Sequence, residues 1–199
     1  MIKTLIEQDI KAITEIHREA LKGDFLPSLG FNFLSTFYSG VLGKPEVYGF
    51  GYKKQGRVVG FVLGTSNSES FFGLALKSKL ISLSYFLILE IINNPFLIKN
   101  VLETFLYTSK DKGPKAELVV IAVLDKYQGQ GIGKILTQAL EQGFSNDGIK
   151  EYKLTVHADK AAVQFYEHLK YNRISSFNLY GKLWYVYAKK IIHVKVSKK

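Results

Sequence analysis

The apolar run Glu117 to Val123 (ELVVIAV) leads almost directly into Gln128-Gly129-Gln130-Gly131-Ile132-Gly133-Lys134, after which Ile135, Leu136, Ala139 and Leu140 recur at helical spacing. A short, nearly uninterrupted apolar run is the pattern of a strand covered on both faces, so it belongs in the middle of a sheet. Alternating glycines between that strand and a helix let the chain reverse sharply and leave backbone amides converging on the positive end of the helix. The expected product is a strand, a loop that holds an anion, and a helix.

Two common phosphate loops do not fit. A Walker A loop needs Gly, four residues and Gly-Lys-Ser/Thr, but Gln128 stands five before Gly133 and Ile135 follows Lys134. A dinucleotide fingerprint needs G-x-G-x-x-G at a first strand-to-helix turn, whereas Gly129, Gly131 and Gly133 are spaced G-x-G-x-G and come late in the chain.

The remainder reads as alternating elements. Ile2 to Ile6 predicts a short strand, and Asp9 caps a helix with Ile10, Ile13, Ile16 and Ala20 on one face. Gly23 to Gly30 breaks the chain before a second helix carrying Phe33, Leu34, Phe37, Tyr38 and Val41. Glu46 to Tyr52 and Arg57 to Gly64 flank Lys53-Lys54-Gln55-Gly56 as a hairpin. Leu74 to Tyr107 predicts two helices parted at Asn93-Asn94-Pro95, read as an inserted pair over about 74–109. Tyr152 to Val156 is a strand and Ala161 to Leu169 a helix, and Ile174 to Phe177 and Leu183 to Ala188 close the chain around Tyr180-Gly181.

Composition narrows the chemistry. No cysteine among 199 residues excludes a disulfide scaffold, thiolate catalysis and Cys-ligated metal clusters. The four histidines, at 17, 157, 168 and 193, have no ligand spacing, so no metal is expected. A formal charge of +10 favours polyanionic partners, a phosphorylated cofactor among them; the charges are scattered, so nucleic acid is not expected. Acidic residues break any apolar stretch at the N-terminus, which makes the cytoplasm the expected address. The most apolar window, Leu80 to Ile92, contains Glu90 and falls short of the roughly 20 residues that span a bilayer.

Gln128-x-x-Gly131-x-Gly133 directly after a Val-rich strand resembles the GNAT superfamily of acyl-CoA-dependent N-acyltransferases. A second element, Leu154 to Val156 followed by Ala162-x-x-Phe165-Tyr166, resembles the family's next strand and helix. The resemblance covers about residues 1–190 and leaves 191–199 as a basic tail. It implies an α/β (α+β) fold of one domain: a mixed, mostly antiparallel twisted sheet flanked by helices, carrying the helical pair as an addition. It also implies acetyl-CoA as donor. Its pyrophosphate would lie on Gln128, Gly129, Gln130, Gly131, Ile132, Gly133 and Lys134, and its amide-rich arm along Ile121, Ala122 and Val123. Asp159, as a cap, and Ala162 and Phe165 would complete the cofactor site. A bulge near Ala122 or Val123 would free an N–H for the thioester carbonyl.

Transfer to an amine needs a base and an acid. Deprotonating a lysine-like amine at pH 7 costs roughly 4–5 kcal/mol, and Glu117 and His157 are the candidate bases. Tyr166 matches the family's general acid. Asp24, Phe25, Ser28 and Leu29, between the first two helices, are the acceptor-side candidates. The run Phe25-Leu26-Pro27-Ser28-Leu29-Gly30 with Phe33-Leu34 and Phe37-Tyr38 resembles GNAT proteins of sugar or surface-polysaccharide metabolism, which implies a small-molecule amine such as an amino sugar. The alternatives are a protein amine, a polyamine, or a non-catalytic acyl-CoA-binding module. Leu80, Leu83, Phe86, Leu87, Leu89 and Ile91 spread around the inserted helix and must be buried on more than one side. Packing on the core plus a homodimer or a lid over the acceptor would do this, and Lys77, Lys79 and Lys99 also permit a membrane-surface helix.

Overall fold

The computed structural model describes residues 1–107, 113–159 and 161–191. Residues 108 and 109 of the expected insertion and 192–199 of the tail therefore lie outside the described residues. The elements in order are β1 (Ile2–Thr4), α1 (Ile10–Ala20), α2 (Phe25–Ser28), α3 (Gly30–Val41), β2 (Val47–Lys54), β3 (Arg57–Thr65), α4 (Ser68–Asn93), α5 (Leu97–Tyr107), β4 (Glu117–Val123), α6 (Ile132–Asn146), β5 (Glu151–His157), α7 (Ala162–His168), β6 (Asn172–Leu179) and β7 (Lys182–Lys190).

The strands form one seven-stranded sheet in the order β1-β2-β3-β4-β5-β7-β6. Every neighbouring pair is antiparallel except β4 and β5, which run parallel. The apolar run at Glu117–Val123 is thus the central strand. Its pleat explains the composition: Ile121 and Val123 face a cluster built by α6 and α7, while Val119, Val120 and Ala122 join one built by α1, α3 and the start of α4. Leu136, Leu140 and Phe144 of α6 are fully buried in the first cluster, and Ile13, Leu34 and Phe61 in the second. Each such side chain contributes roughly 1.5–3 kcal/mol by leaving water.

Several local expectations change. Asp9 does not cap α1; its carboxylate accepts the Ile6 N–H at 3.0 Å and binds the Lys3 ammonium at 2.6 Å, closing the short turn before the helix. Helix α4 begins at Ser68 rather than near Leu74, because the Asn67 side chain accepts the Glu69 N–H at 3.2 Å. It runs for 26 residues with a break in helical geometry at Lys79. By length and composition alone, α4 is long and apolar enough to cross a membrane, so the argument from a short window does not hold. Its first half is built into the domain: Phe71 and Ala75 are buried against α3. The second half is covered on one side only: Leu83 is buried, whereas Ile81 is 87% and Ile92 69% exposed.

Candidate active site

Strands β4 and β5 pair only at Glu117–Lys153 and Leu118–Leu154. Beyond Leu118 they part, and β5 continues to pair with β7 as far as His157–Trp184. A cavity of about 340 Å³ opens in the wedge. Val119, Val120 and Ile121 form one wall, Thr155, Val156 and His157 the other, with Ala162, Phe165 and Tyr166 of α7 beside them. His17, Asp24, Phe25, Leu26 and Pro27 close the end toward α1 and α2.

The expected bulge is present in β4 but at a different place. Leu63 pairs with Val120 while Gly64 pairs with Leu118, which leaves Val119 as the extra residue. Ala122 and Val123 stay in register with Phe61 and Gly60, and neither lines the cavity. The irregularity therefore lies where β4 leaves β5, on the cavity wall itself.

After β4 a single turn (Asp125–Tyr127) leads to the glycine loop. Gly129 and Gly131 have φ of +72° and +75°, with open space where a Cβ would stand, so glycine serves the backbone there. Gly131 caps α6 with no side chain on its amides, which leaves the first turn's N–H groups for an external acceptor. Gly133 has another reason: a Cβ would lie 3.2 Å from Phe165 Cζ, so the loop packs on a residue of the cavity wall. Gln128 does not reach outward. Its Nε2 donates to Val123 O at 2.9 Å and to Asp125 Oδ1 at 3.0 Å, holding the turn together. Lys54 Nζ donates to Gln130 Oε1 at 2.7 Å, and Lys54 and Lys126 both stand over the Tyr127 ring. Two ammonium groups thus flank the loop, and Lys134 is exposed on α6.

The titratable groups divide by environment. Tyr166 is 5% exposed, and burial pushes its phenol well above the usual range, so it keeps its proton. Burial lowers His17 to about 4, against a smaller opposing pull from Asp24, and its Nδ1 lies 2.5 Å from the Tyr38 hydroxyl. His157 Nδ1 accepts the Asp159 N–H at 3.3 Å, which assigns the proton of the neutral ring to Nε2. That Nε2 is buried without a hydrogen-bond partner. In this tautomer His157 offers the cavity a donor, whereas the expected base would need a lone pair there. Glu117 also lines the cavity, in register with the buried Lys153.

Other expected site residues lie elsewhere. Asp159 is exposed and does not cap α7, whose first turn follows Ala161 without a side-chain cap. The segment at Phe25 is a short helix rather than a loop; the Ser28 hydroxyl donates back to Phe25 O at 2.6 Å, and Leu29 is buried, so neither lines the cavity. Conversely, Lys153, Thr104, Tyr180 and Trp184 line the cavity although nothing in the sequence singled them out. Among the described residues, no group of three or more histidines or acids could hold a metal ion.

Residues 106–185 match the family model described as the acetyltransferase (GNAT) domain. Over those residues, which hold the glycine loop and the wedge, the chain is similar to GNAT acetyltransferases. Its fold is that of solved GNAT structures. The ribosomal-protein-S18-alanine N-acetyltransferase from Escherichia coli is similar with a TM-score of 0.63 at 18% identity, over 100% of this chain and 98% of that one. The PaiA N-acetyltransferase from Thermoplasma acidophilum, in complex with coenzyme A, gives 0.59 at 15% identity over 96% and 98%. NAA60 from Arabidopsis thaliana, in complex with acetyl-CoA, gives 0.58 at 15% over 96% and 98%. No curated protein sequence matches the chain. The matched residues include the glycine loop and the parted strands β4 and β5.

Proposed function

We propose that the chain is an N-acetyltransferase that passes an acetyl group from acetyl-CoA to a primary amine of a small molecule, by direct attack in a ternary complex, in the cytoplasm. The observation that carries this reading is the parting of β4 from β5 after Leu118 beside an uncapped α6 N-terminus. The residues fit the cofactor: the open amides at Gly131 suit a pyrophosphate, and the unpaired edge of β4 suits an arm rich in amides.

Acetyl-CoA supplies the acetyl group as a thioester. The chain's residues supply position and protons. Glu117 Oε accepts the amine proton, directly or through water, so that the neutral amine attacks. Tyr166 holds its proton on Oη and delivers it to the departing thiolate. His157 Nε2–H, aligned with no protein acceptor, offers a hydrogen bond to substrate in the wedge. A cavity near 340 Å³ is in the usual range for small ligands, which supports a small acceptor, an amino sugar among the candidates.

Calorimetric titration of acetyl-CoA into the wild-type chain and a Gly131→Glu variant tests the donor side. Tight binding that the variant loses supports the reading, and no binding to the wild type overturns it. Coenzyme A release followed with a thiol dye, which meets no cysteine in the protein, then compares amino sugars, polyamines and peptides. Binding without release in the presence of any amine would favour an acyl-CoA-binding module.

A further inference from the structure

Helix α4 presents Ile81, Tyr85, Ile88 and Ile92 at spacings of four, three and four, which places them on one stripe. All are more than half exposed. Leu80 at 57% and Leu89 at 40% widen the stripe, the turn before α5 adds Phe96 at 88%, and α5 adds Ile98 at 52% and Leu102 at 58%. A monomer in water rarely leaves so much contiguous apolar surface bare.

The charges around this surface are sorted. Of the three carboxylates of the helical pair, Glu69 lies at the cavity at the far end of α4, and Glu90 and Glu103, beside the stripe, turn toward the protein. Glu90 lies against Gly30, where a Cβ would come within 2.3 Å of its Oε1. Glu103 Oε2 accepts the Tyr180 N–H at 2.6 Å. The lysines turn outward: Lys77 and Lys79 are exposed where the stripe begins, and the Lys99 side chain, 76% exposed, lies 3.9 Å from Glu103 Oε1 in a solvent-facing ion pair. On a chain of net charge +10, a second copy would bring like charges together, whereas an anionic surface would neutralise them.

We propose that the α4–α5 hairpin docks on an anionic lipid bilayer, lying in the interface rather than crossing it. Crossing fails on the return path. Helix α5 has 11 residues, about 16 Å at 1.5 Å per residue, against a hydrocarbon core of about 30 Å. Lying flat, the stripe enters the headgroup region while the lysines meet lipid phosphates.

The test uses the full chain with Ile88→Cys, labelled with an environment-sensitive dye at what is then the sole thiol. It is mixed with vesicles of phosphatidylcholine alone or with added phosphatidylglycerol. The expected result is blue-shifted emission and co-sedimentation with the anionic vesicles only, weakened by salt. In that background, Ile81→Glu with Ile92→Glu should lower affinity at least tenfold, and Lys77→Gln, Lys79→Gln and Lys99→Gln about fivefold each. Unchanged acetyl-CoA affinity confirms that the variants fold, and the lysine variants test the proposal independently of the apolar ones. No binding to either vesicle, equal binding to both, or a blue shift that grows with protein concentration in the absence of lipid, which would mark a second copy as the occupant, overturns the proposal.

Discussion

The Tyr180 hydroxyl lies 2.6 Å from Thr104 Oγ1, joining the tip of the β6–β7 hairpin to α5 across the mouth of the cavity. The same tyrosine donates its backbone N–H to Glu103 and sets its ring 5.1 Å from that of Phe25. Three separate parts of the chain are thereby held at one rim. Thr104→Val removes this hydrogen bond and the one Oγ1 donates to Asn100 O at 2.7 Å within α5, each worth about 1 kcal/mol. The acceptor KM should rise about fivefold while the acetyl-CoA Kd stays within twofold; steady-state kinetics with both substrates varied checks this, and equal effects on both would show that the rim does not belong to the acceptor.

Tyr166→Phe keeps the ring in its cluster with Tyr171 and Tyr187 and removes only the hydroxyl. We expect kcat to drop about a hundredfold or more with little change in acetyl-CoA affinity by calorimetry. Because burial holds the phenol protonated far above neutrality, its ionisation should add no falling limb to the rate profile between pH 7 and 10. Such a limb in the wild type that disappears in the variant would contradict this assignment.

Gly131→Ala places a side chain at φ +75°, at a cost of about 1 kcal/mol or more in strain, without filling any space. Gly133→Val instead drives methyl groups against Phe165. Both should weaken acetyl-CoA, the first chiefly by disturbing the loop and the second by also distorting the cavity wall. A comparison of cofactor affinity with acceptor KM separates them: only Gly133→Val should raise the latter.

His17 carries a pH dependence of stability. Burial depresses its folded pKa to about 4 from 6.5, so the unfolded chain binds the proton first as pH falls. Its contribution is complete above about pH 6.5, declines between 6.5 and 4, and levels off below, a change of about 3 kcal/mol. Urea unfolding across this range should show that slope in the wild type and a shallower one in His17→Gln. Parallel curves would remove His17 as the source.

What could be read in the sequence follows from how locally each feature is determined. A strand, positive-φ glycines and a helix in immediate succession leave little choice of geometry, so the loop at Gly129 to Gly133 was legible. The start of α4 was also written locally, in the Asn67 cap, but an apolar count that began at Leu74 passed over it. Trp184, Lys153 and Tyr180 reach the cavity through pairings set by the whole sheet and by α5, and no local pattern marks them. Asp159 and Ser28 show the reverse: each suits by type the role expected of it, but α7 starts after Ala161 without a side-chain cap, and the Ser28 hydroxyl donates to the backbone of its own short helix.

The short pairing between β4 and β5 has a mechanical consequence. Most sheets are firmest in the middle and fray at their edges; this one has its seam at the centre, between the fourth and fifth strands of seven. A ligand arm that fills the seam would act as a missing strand, so the chain should stiffen from the inside outward when it binds. Amide exchange along 119–123 would then slow far more than exchange at β1 or β6, making the cofactor a structural member of the fold as well as its reagent.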